Sequence, residues 1–345
     1  MQKPVVIPHY FPFLLALWAF LGLACTSERR EAGDTATDRL FLGDRTDESA
    51  TNGHIRILAD EALQPIVAAE VDNFQAVYPE AHLEVVYLPG EAAVQRLIDS
   101  DSFRLVITAR MLSTEEDRYL RSRYLVPQIS AIALDGIVLL VHPAQGDTAL
   151  TLAQVQGILQ GSLTRWEQVS ARTRGPIQLV FDDPLSGVAR YLQDSLLAGQ
   201  PLRTQGVYAA GNSPKVFDYV AATPGSLGIV SSAWISDRDD PAVRERLRQT
   251  SVLKLSRDTA AAECRYLDEY VGHYQSFLLQ ACYPLTRKVY TILREPVLGL
   301  GTGFVAYLDG PQGQLIIHKS GLGTIHTIPR KIKLPPLPKG KQTPP

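Results

Sequence analysis

Four short stretches carry the side chains that could hold a small charged ligand: Ala59-Asp60-Glu61-Ala62, Pro89-Gly90-Glu91, Thr108-Ala109-Arg110 and Asp182-Asp183-Pro184-Leu185-Ser186-Gly187-Val188. In the last of these, Ser186 offers a hydroxyl and Gly187 lets backbone approach a ligand closely. The amides that follow carry the positive end of a helix dipole. A bare N-cap is the alternative role for Ser186. Arg110 presents a planar fork that can meet two oxygens at once, which suits an oxyanion. Its alternative is a structural salt bridge to a carboxylate such as Asp182. Asp60 or Glu61 could cap a helix by accepting backbone N–H bonds, or could accept the proton of a monohydrogen oxyanion.

Other chemistries find no residues to carry them. Ser186 lies in Pro-Leu-Ser-Gly and not in a Gly-x-Ser-x-Gly elbow, and His273, His318 and His326 have no spacing that suggests a catalytic base. A secreted hydrolase is therefore the weaker alternative to a binding protein. The seven histidines include no His-Glu-x-x-His, and Cys264 and Cys282 are too far apart for a zinc knuckle, so neither a metal nor another cofactor is expected. No Walker loop is present. A net charge of −2 leaves no basic field for a nucleic acid.

The elements that must position the four stretches follow one another in a clear order. His54–Ala59 reads as a strand, and Pro65–Tyr78 as a helix with Val67, Val71, Phe74 and Tyr78 on one face. Leu83–Tyr87 is a second strand; a helix around Val94, Leu97 and Ile98 and the strand Arg104–Thr108 complete a βαβαβ unit, which predicts a parallel sheet. Ligands of such sheets bind beyond the carboxyl ends of the strands, where helices begin, and the four stretches occupy such places. Ser113-Thr-Glu-Glu116 and Thr151-Leu-Ala-Gln154 have capping-box spacing. Two apolar strands, Val126–Leu134 and Gly136–His142, meet at Asp135-Gly136, which predicts a hinge between two lobes. A strand at Ile177–Phe181 leads to a helix opened by Ser186-Gly187, packing through Val188, Leu192 and Leu196. Leu227–Ser231 is a further strand, and the remainder, with Val289–Leu293 and helices near Phe304 and Ile316, returns to the first lobe.

With 345 residues, 45% of them hydrophobic, the chain is long enough for two lobes. The first should comprise residues 54–134 and 232–330, the second 135–231, with a loose tail at 331–345. The opening is a leader: a weakly basic start, about fourteen apolar residues from Phe11 to Ala24, then Cys25. Ala24-Cys25 resembles a lipoprotein processing site, so residues 1–25 predict export and a lipid anchor on Cys25, with a plain signal peptide as the alternative. Residues 26–53 are polar and lack apolar periodicity, as expected of a disordered tether. In an oxidising compartment Cys264 and Cys282 either form a disulfide or stay as two buried thiols.

Several segments together resemble the phosphate-binding proteins of ABC transporters, within the type II periplasmic binding proteins. They are Ala109–Glu116, Asp135–Pro143, Leu152–Trp166, Pro224–Val230, Tyr283–Arg287, Gly303–Leu308 and Gly313–Ile317. The resemblance spans about 54–330. It implies an α/β fold of two lobes, each a mixed, mostly parallel sheet flanked by helices, closing on an oxyanion in the cleft between them. It also implies a periplasmic monomer without enzymatic activity that delivers phosphate to a membrane permease; an anion sensor is the alternative. Family contacts fall here on Asp60, Glu61, Ala62, Gly90, Arg110, Ser186, Gly187 and Val188, with Arg190 as a further cation. The chain departs from the family where Asp60-Glu61 replace Ser and Thr, and where Val188 replaces Thr. Some members also have an acidic residue at the place of Arg110 and an arginine at that of Asp182.

Overall fold

The computed structural model describes residues 48–256, 264, 269–295 and 298–326. The expected leader with Cys25 and the expected tail lie outside these residues. Eight strands form the main sheet: β1 (Gly53–Asp60), β2 (Ala81–Leu88), β3 (Leu105–Thr108), β4 (Gln128–Val141), β5 (Gln178–Phe181), β6 (Val207–Ala209), β7 (Ser226–Ser231) and β8 (Thr286–Leu293). Their order is β2-β1-β3-β8-β4-β7-β5-β6, with short strands Ser251–Val252 and Gly323–Thr324 also paired to β4. The βαβαβ reading holds: β1 is parallel to both β2 and β3. β5 is likewise parallel to β6 and β7. The central strands β8 and β4 run antiparallel to their neighbours, so the sheet is mixed.

Each half of the sheet is covered on both faces. In the first half, α1 (Gln64–Val77), α8 (Leu300–Asp309) and α9 (Pro311–Lys319) pack on one face, where Phe74 meets Phe304 and Tyr307 edge to face. Such pairs add about 0.5–1.5 kcal/mol to the burial of the rings themselves. The other face carries α2 (Gly90–Asp99) and α3 (Thr114–Ser122), through Val94, Leu97 and Leu120. In the second half, strand alternation sends Ile137, Leu139 and Val141 toward α4 (Leu152–Gln160) and α5 (Gly187–Leu196). Val138 and Leu140 face α6 (Ser213–Ala222) and α7 (Pro241–Gln249). Both predicted capping boxes form, at Ser113 with Glu116 and at Thr151 with Gln154.

Three expectations change. The two strands predicted to meet at Asp135-Gly136 are one continuous strand, β4, because β8 pairs with it through Asp135 and Gly136 and β7 takes over at Ile137. Gly136 is needed there: a Cβ would come within 3.1 Å of Leu278 and 3.3 Å of Tyr283. Second, the chain does not leave the second half at residue 232. Val243 of α7 packs with Val138 and Phe217, and Ser251–Val252 pairs with Leu140–Val141. Third, the fold starts before residue 54. Glu48 pairs with Arg104 at 2.8 Å and accepts the Leu300 amide at 2.9 Å, which ties the last residues of the expected tether to the first half.

Candidate functional site

β1 ends in Asp60, which is fully buried, and the chain turns at once into a single 3-10 turn, Glu61–Leu63. The Asp60 Oδ1 atom caps that turn by accepting the Ala62 amide at 3.1 Å. Its Oδ2 is buried and has no hydrogen-bond partner among the described residues. The Ala62 amide is thus occupied by its own loop.

Two glycines close around that free oxygen. A Cβ on Gly90, the first residue of α2, would stand 2.7 Å from Asp60 Oδ2 and 3.0 Å from the Gly187 backbone. On Gly187, the first residue of α5, it would stand 2.1 Å from Asp60 Oδ2 and 3.5 Å from Arg287 Nη1. The loops after β1, β2 and β5 therefore meet at one point. Ser186 caps α5 through its hydroxyl, which accepts the Ala189 amide at 3.1 Å. The Val188 side chain is buried in the apolar core, so the position that carries a hydroxyl in the resembling family serves packing here.

Arg287 supplies the buried cation. It sits on β8 opposite Asp135 of β4, and its Nε donates to Asp135 Oδ2 at 2.8 Å. Asp135 also accepts the hydroxyls of Ser231 and Ser232, the latter of which receives the Gly136 amide. Among the described residues Nη1 and Nη2 of Arg287 are buried without hydrogen-bond partners, and Nη1 is the atom nearest a Cβ on Gly187 after those of Asp60. The Thr108 hydroxyl, at the end of β3, is buried and likewise has no partner among the described residues. It lines a cavity of about 280 Å³ with Gly90, Arg110, Gly187, Arg190 and Tyr191.

Asp60 and Asp182 feel the charge of this arginine, and Glu61 stands next to Asp60. Glu61 reaches α6, where the Ser213 amide and hydroxyl each donate to it at 3.1 Å. Asp182, just beyond β5, accepts the Asp183 amide and, at 3.4 Å, the Ser213 hydroxyl. Burial pushes the Asp60 carboxyl up to about 7 against the pull of Arg287, and the charges of Asp182 and Glu61 add to the rise. Burial also raises Glu61, opposed by its bonds from Ser213. It raises Asp182 too, opposed by the Ser186 hydroxyl and the Asp183 amide.

Arg110 lines the same cavity and is held in a structural salt bridge, as its alternative expectation has it, though with other carboxylates than Asp182. Its Nε pairs with Glu91 at 2.9 Å, Nη1 and Nη2 each meet Glu116 at 2.8 Å, and Nη1 also donates to the Met111 carbonyl. The capping-box glutamate of α3 thus clamps it, and its partners are not Asp182. Arg190 pairs with Asp194 at 2.7 Å and stands half exposed at the rim, 3.9 Å from Glu91.

Sequence reading places Thr108 in a candidate stretch without giving its hydroxyl a role, and Arg287 only in a segment that carries the resemblance. The signal for Arg287 was its parity: on a strand of period two it shares the inward face of Val289 and Thr291, where a charge needs a reason. Cys264 and Cys282 are disulfide-bonded.

Comparison with known proteins places the chain in a family. The model of the PBP superfamily domain matches residues 45–310, and the chain belongs to that superfamily. No curated protein matches it. Among solved structures it is similar to a protein from Clostridium perfringens described as a phosphate ABC transporter substrate-binding protein, with bound phosphate. The identity is 20%, with 79% of this chain and all of that one covered and a TM-score of 0.63. An ABC-type phosphate transport receptor from Vibrio cholerae shares 16% identity over 79% of this chain and 100% of its own, at a TM-score of 0.57. A phosphate-binding protein from Stenotrophomonas maltophilia shares 13% over 80% and 91%, at 0.56. These likenesses establish the fold: the two-lobed, mixed α/β architecture of type II periplasmic binding proteins.

Proposed function

We propose that this member of the PBP superfamily is an exported solute-binding protein that captures inorganic phosphate, or a similar hydrogen-bonding oxyanion, and delivers it to an ABC transporter permease. The observation that carries the reading is Arg287: a buried guanidinium whose Nη1 and Nη2 have no partner among the described residues, near Asp60 and the first turn of α5. Two free N–H groups in a fixed fork fit two oxygens of one small anion, and burial strengthens such charge-assisted bonds.

In this reading Arg287 takes the anion's charge and Thr108 offers a hydroxyl, while the Ser186 hydroxyl stays with the Ala189 amide and Asp182. The first-turn amides of α5 face the remaining oxygens. Asp60 stands opposite an oxygen that carries a proton, which favours a monohydrogen anion over a bare one. The lobes swing about β4 near Asp135 and Gly136, and capture closes them. The printed names of the Clostridium, Vibrio and Stenotrophomonas proteins support phosphate as the ligand class. The Cys264–Cys282 bridge supports an oxidising compartment and with it export; the lipid anchor on Cys25 rests on the sequence of the leader alone.

Calorimetric titration at pH 8 tests the proposal, using the purified chain stripped of bound anion, with phosphate, arsenate and sulfate in turn. One-to-one binding of phosphate with sulfate at least about 100-fold weaker is expected, since a buried acceptor left facing a bare oxygen costs about 1–3 kcal/mol or more. Absence of binding by all three would remove the function while leaving the fold.

A further inference from the structure

Away from the anion cleft, a second groove of about 450 Å³ runs between the two halves, with α1 on one side and the turn at Trp234 and α7 on the other. Pro65, Ile66, Trp234 and Leu322 give it an apolar floor. Asp72, Asp237 and Asp240 line it as well, and Asp72 and Asp240 are exposed. None of the three forms a salt bridge among the described residues. The cation in the lining, Arg246, is already laid over the rings of Trp234 and Phe217, 5.2 and 5.6 Å from their centres, and donates to the Trp234 carbonyl at 3.3 Å. The Trp234 indole nitrogen is a donor with no acceptor among the described residues, and buried donors are nearly always paired. An occupant of this groove should therefore be cationic, lay apolar surface on the floor and bring free carbonyl groups.

We propose that the groove docks the chain's own C-terminal segment Lys333-Leu334-Pro335-Pro336-Leu337-Pro338-Lys339. Residues 327–345 carry five cations, Arg330, Lys331, Lys333, Lys339 and Lys341, and no acidic side chain, in a chain whose net charge is −2. The prolines favour polyproline II, a helix of three residues per turn whose carbonyls are all free. In that geometry Leu334 and Leu337 share one edge and Pro335 and Pro338 the second. Lys333, Pro336 and Lys339 fall on the third. Two apolar edges suit the floor, and the cationic edge suits the aspartates, as in other grooves that hold proline-rich segments on aromatic side chains.

The chain is long enough to return. His326 follows Leu322 of the floor by four residues, at most about 14 Å of chain, whereas the eight residues from His326 to Leu334 reach about 25 Å as polyproline II. A tether of this length gives a local concentration on the order of millimolar, so a contact too weak to hold separate molecules can fill the groove within one chain. Ile66 of α1 packs in the core of the first half and Val243 of α7 in that of the second. The docked segment thus straps the two halves together.

The test is photocrosslinking of the full chain with benzoylphenylalanine in place of Leu337, mapped by mass spectrometry. Crosslinks are expected on residues 64–72 and 234–246 of the same chain. Their yield should fall at least about threefold between about 0.1 and 1 M salt, as the screening length shrinks from about 10 to about 3 Å. Lys333→Glu with Lys339→Glu should lower the yield at low salt. Asp72→Lys should lower it with the natural tail and raise it with the reversed one. Melting curves within a few degrees of wild type verify that these exposed substitutions leave the fold intact. Crosslinks scattered over the surface, confined to residues 311–326 beside the tether, or formed only between two chains would overturn the docking. A groove yield indifferent to salt and to both charge reversals would overturn recognition by the aspartates.

Discussion

Two arginines at this cleft have opposite circumstances, and their partners decide which one can bind. Arg110 has carboxylates on all three nitrogens, whereas Arg287 spends only Nε on Asp135 and leaves two nitrogens bare. Arg110→Ala is therefore expected to change phosphate affinity by less than about threefold in calorimetry. It should cost about 1 kcal/mol of stability, as partly exposed ion pairs do. Arg287→Lys retains a charge opposite Asp135, so the melting temperature should move little. Its single ammonium cannot serve Asp135 and two anion oxygens together, and phosphate affinity should fall about 10- to 100-fold. An unchanged affinity in Arg287→Lys would place the ligand elsewhere. The sequence makes Arg110 conspicuous because it stands at the end of a legible strand. Nothing in one dimension tells that Glu91 and Glu116 converge on it, or that Arg287, some 177 residues later in the chain (287 − 110), enters the same cleft.

At the scale of elements, strand and helix periods were readable because each half of the sheet is buried on both faces by helices with one apolar side. The capping boxes at Ser113 and Thr151 were legible as well, since three residues of spacing determine them. The join at Asp135-Gly136 was not. A charged residue and a glycine look like a break, yet Asp135 is neutralised by Arg287 from the neighbouring strand and Gly136 gives way to Tyr283, so β4 runs on. The approach of α2 to α5 depends on missing side chains in a similar way. Gly90→Ala places a methyl group 2.7 Å from Asp60 Oδ2 and 3.0 Å from the Gly187 backbone. Relief comes from parting the two helices, which an open cleft tolerates, and overpacking of this kind costs about 1–3 kcal/mol. Phosphate affinity should fall by about 10- to 100-fold while the melting temperature of the ligand-free chain stays within a few degrees of wild type. A methyl group that left affinity intact would mean that the helices need not meet when the ligand binds.

For the whole molecule, the resemblance seen in scattered segments and the match to the superfamily over residues 45–310 agree on architecture, while Val188 packs in the core at a place where the resemblance implies a hydroxyl. Fold survives such exchange because cores need only shape and apolarity, whereas a site needs particular atoms at particular places. The disulfide belongs to the first category. It joins Cys264 to Cys282 across a separation of 18 residues, and Cys282 is fully buried beside Tyr283, whose hydroxyl donates to the Ile137 carbonyl at 2.7 Å. Tyr283 leads within four residues to Arg287, so the bridge stands at the base of the strand that carries the cation. Closing a loop of this length stabilises a fold by about 3 kcal/mol through the entropy of the unfolded chain. Reduction, or Cys264→Ser with Cys282→Ser, should therefore lower the melting temperature by several degrees. Arg287 should keep its place, because Asp135 and the pairing of β8 with β3 and β4 hold it independently of the bridge. Phosphate affinity measured well below the melting point should then change less than about threefold. A loss of affinity comparable to that of Arg287→Lys would instead make the bridge part of what positions the site.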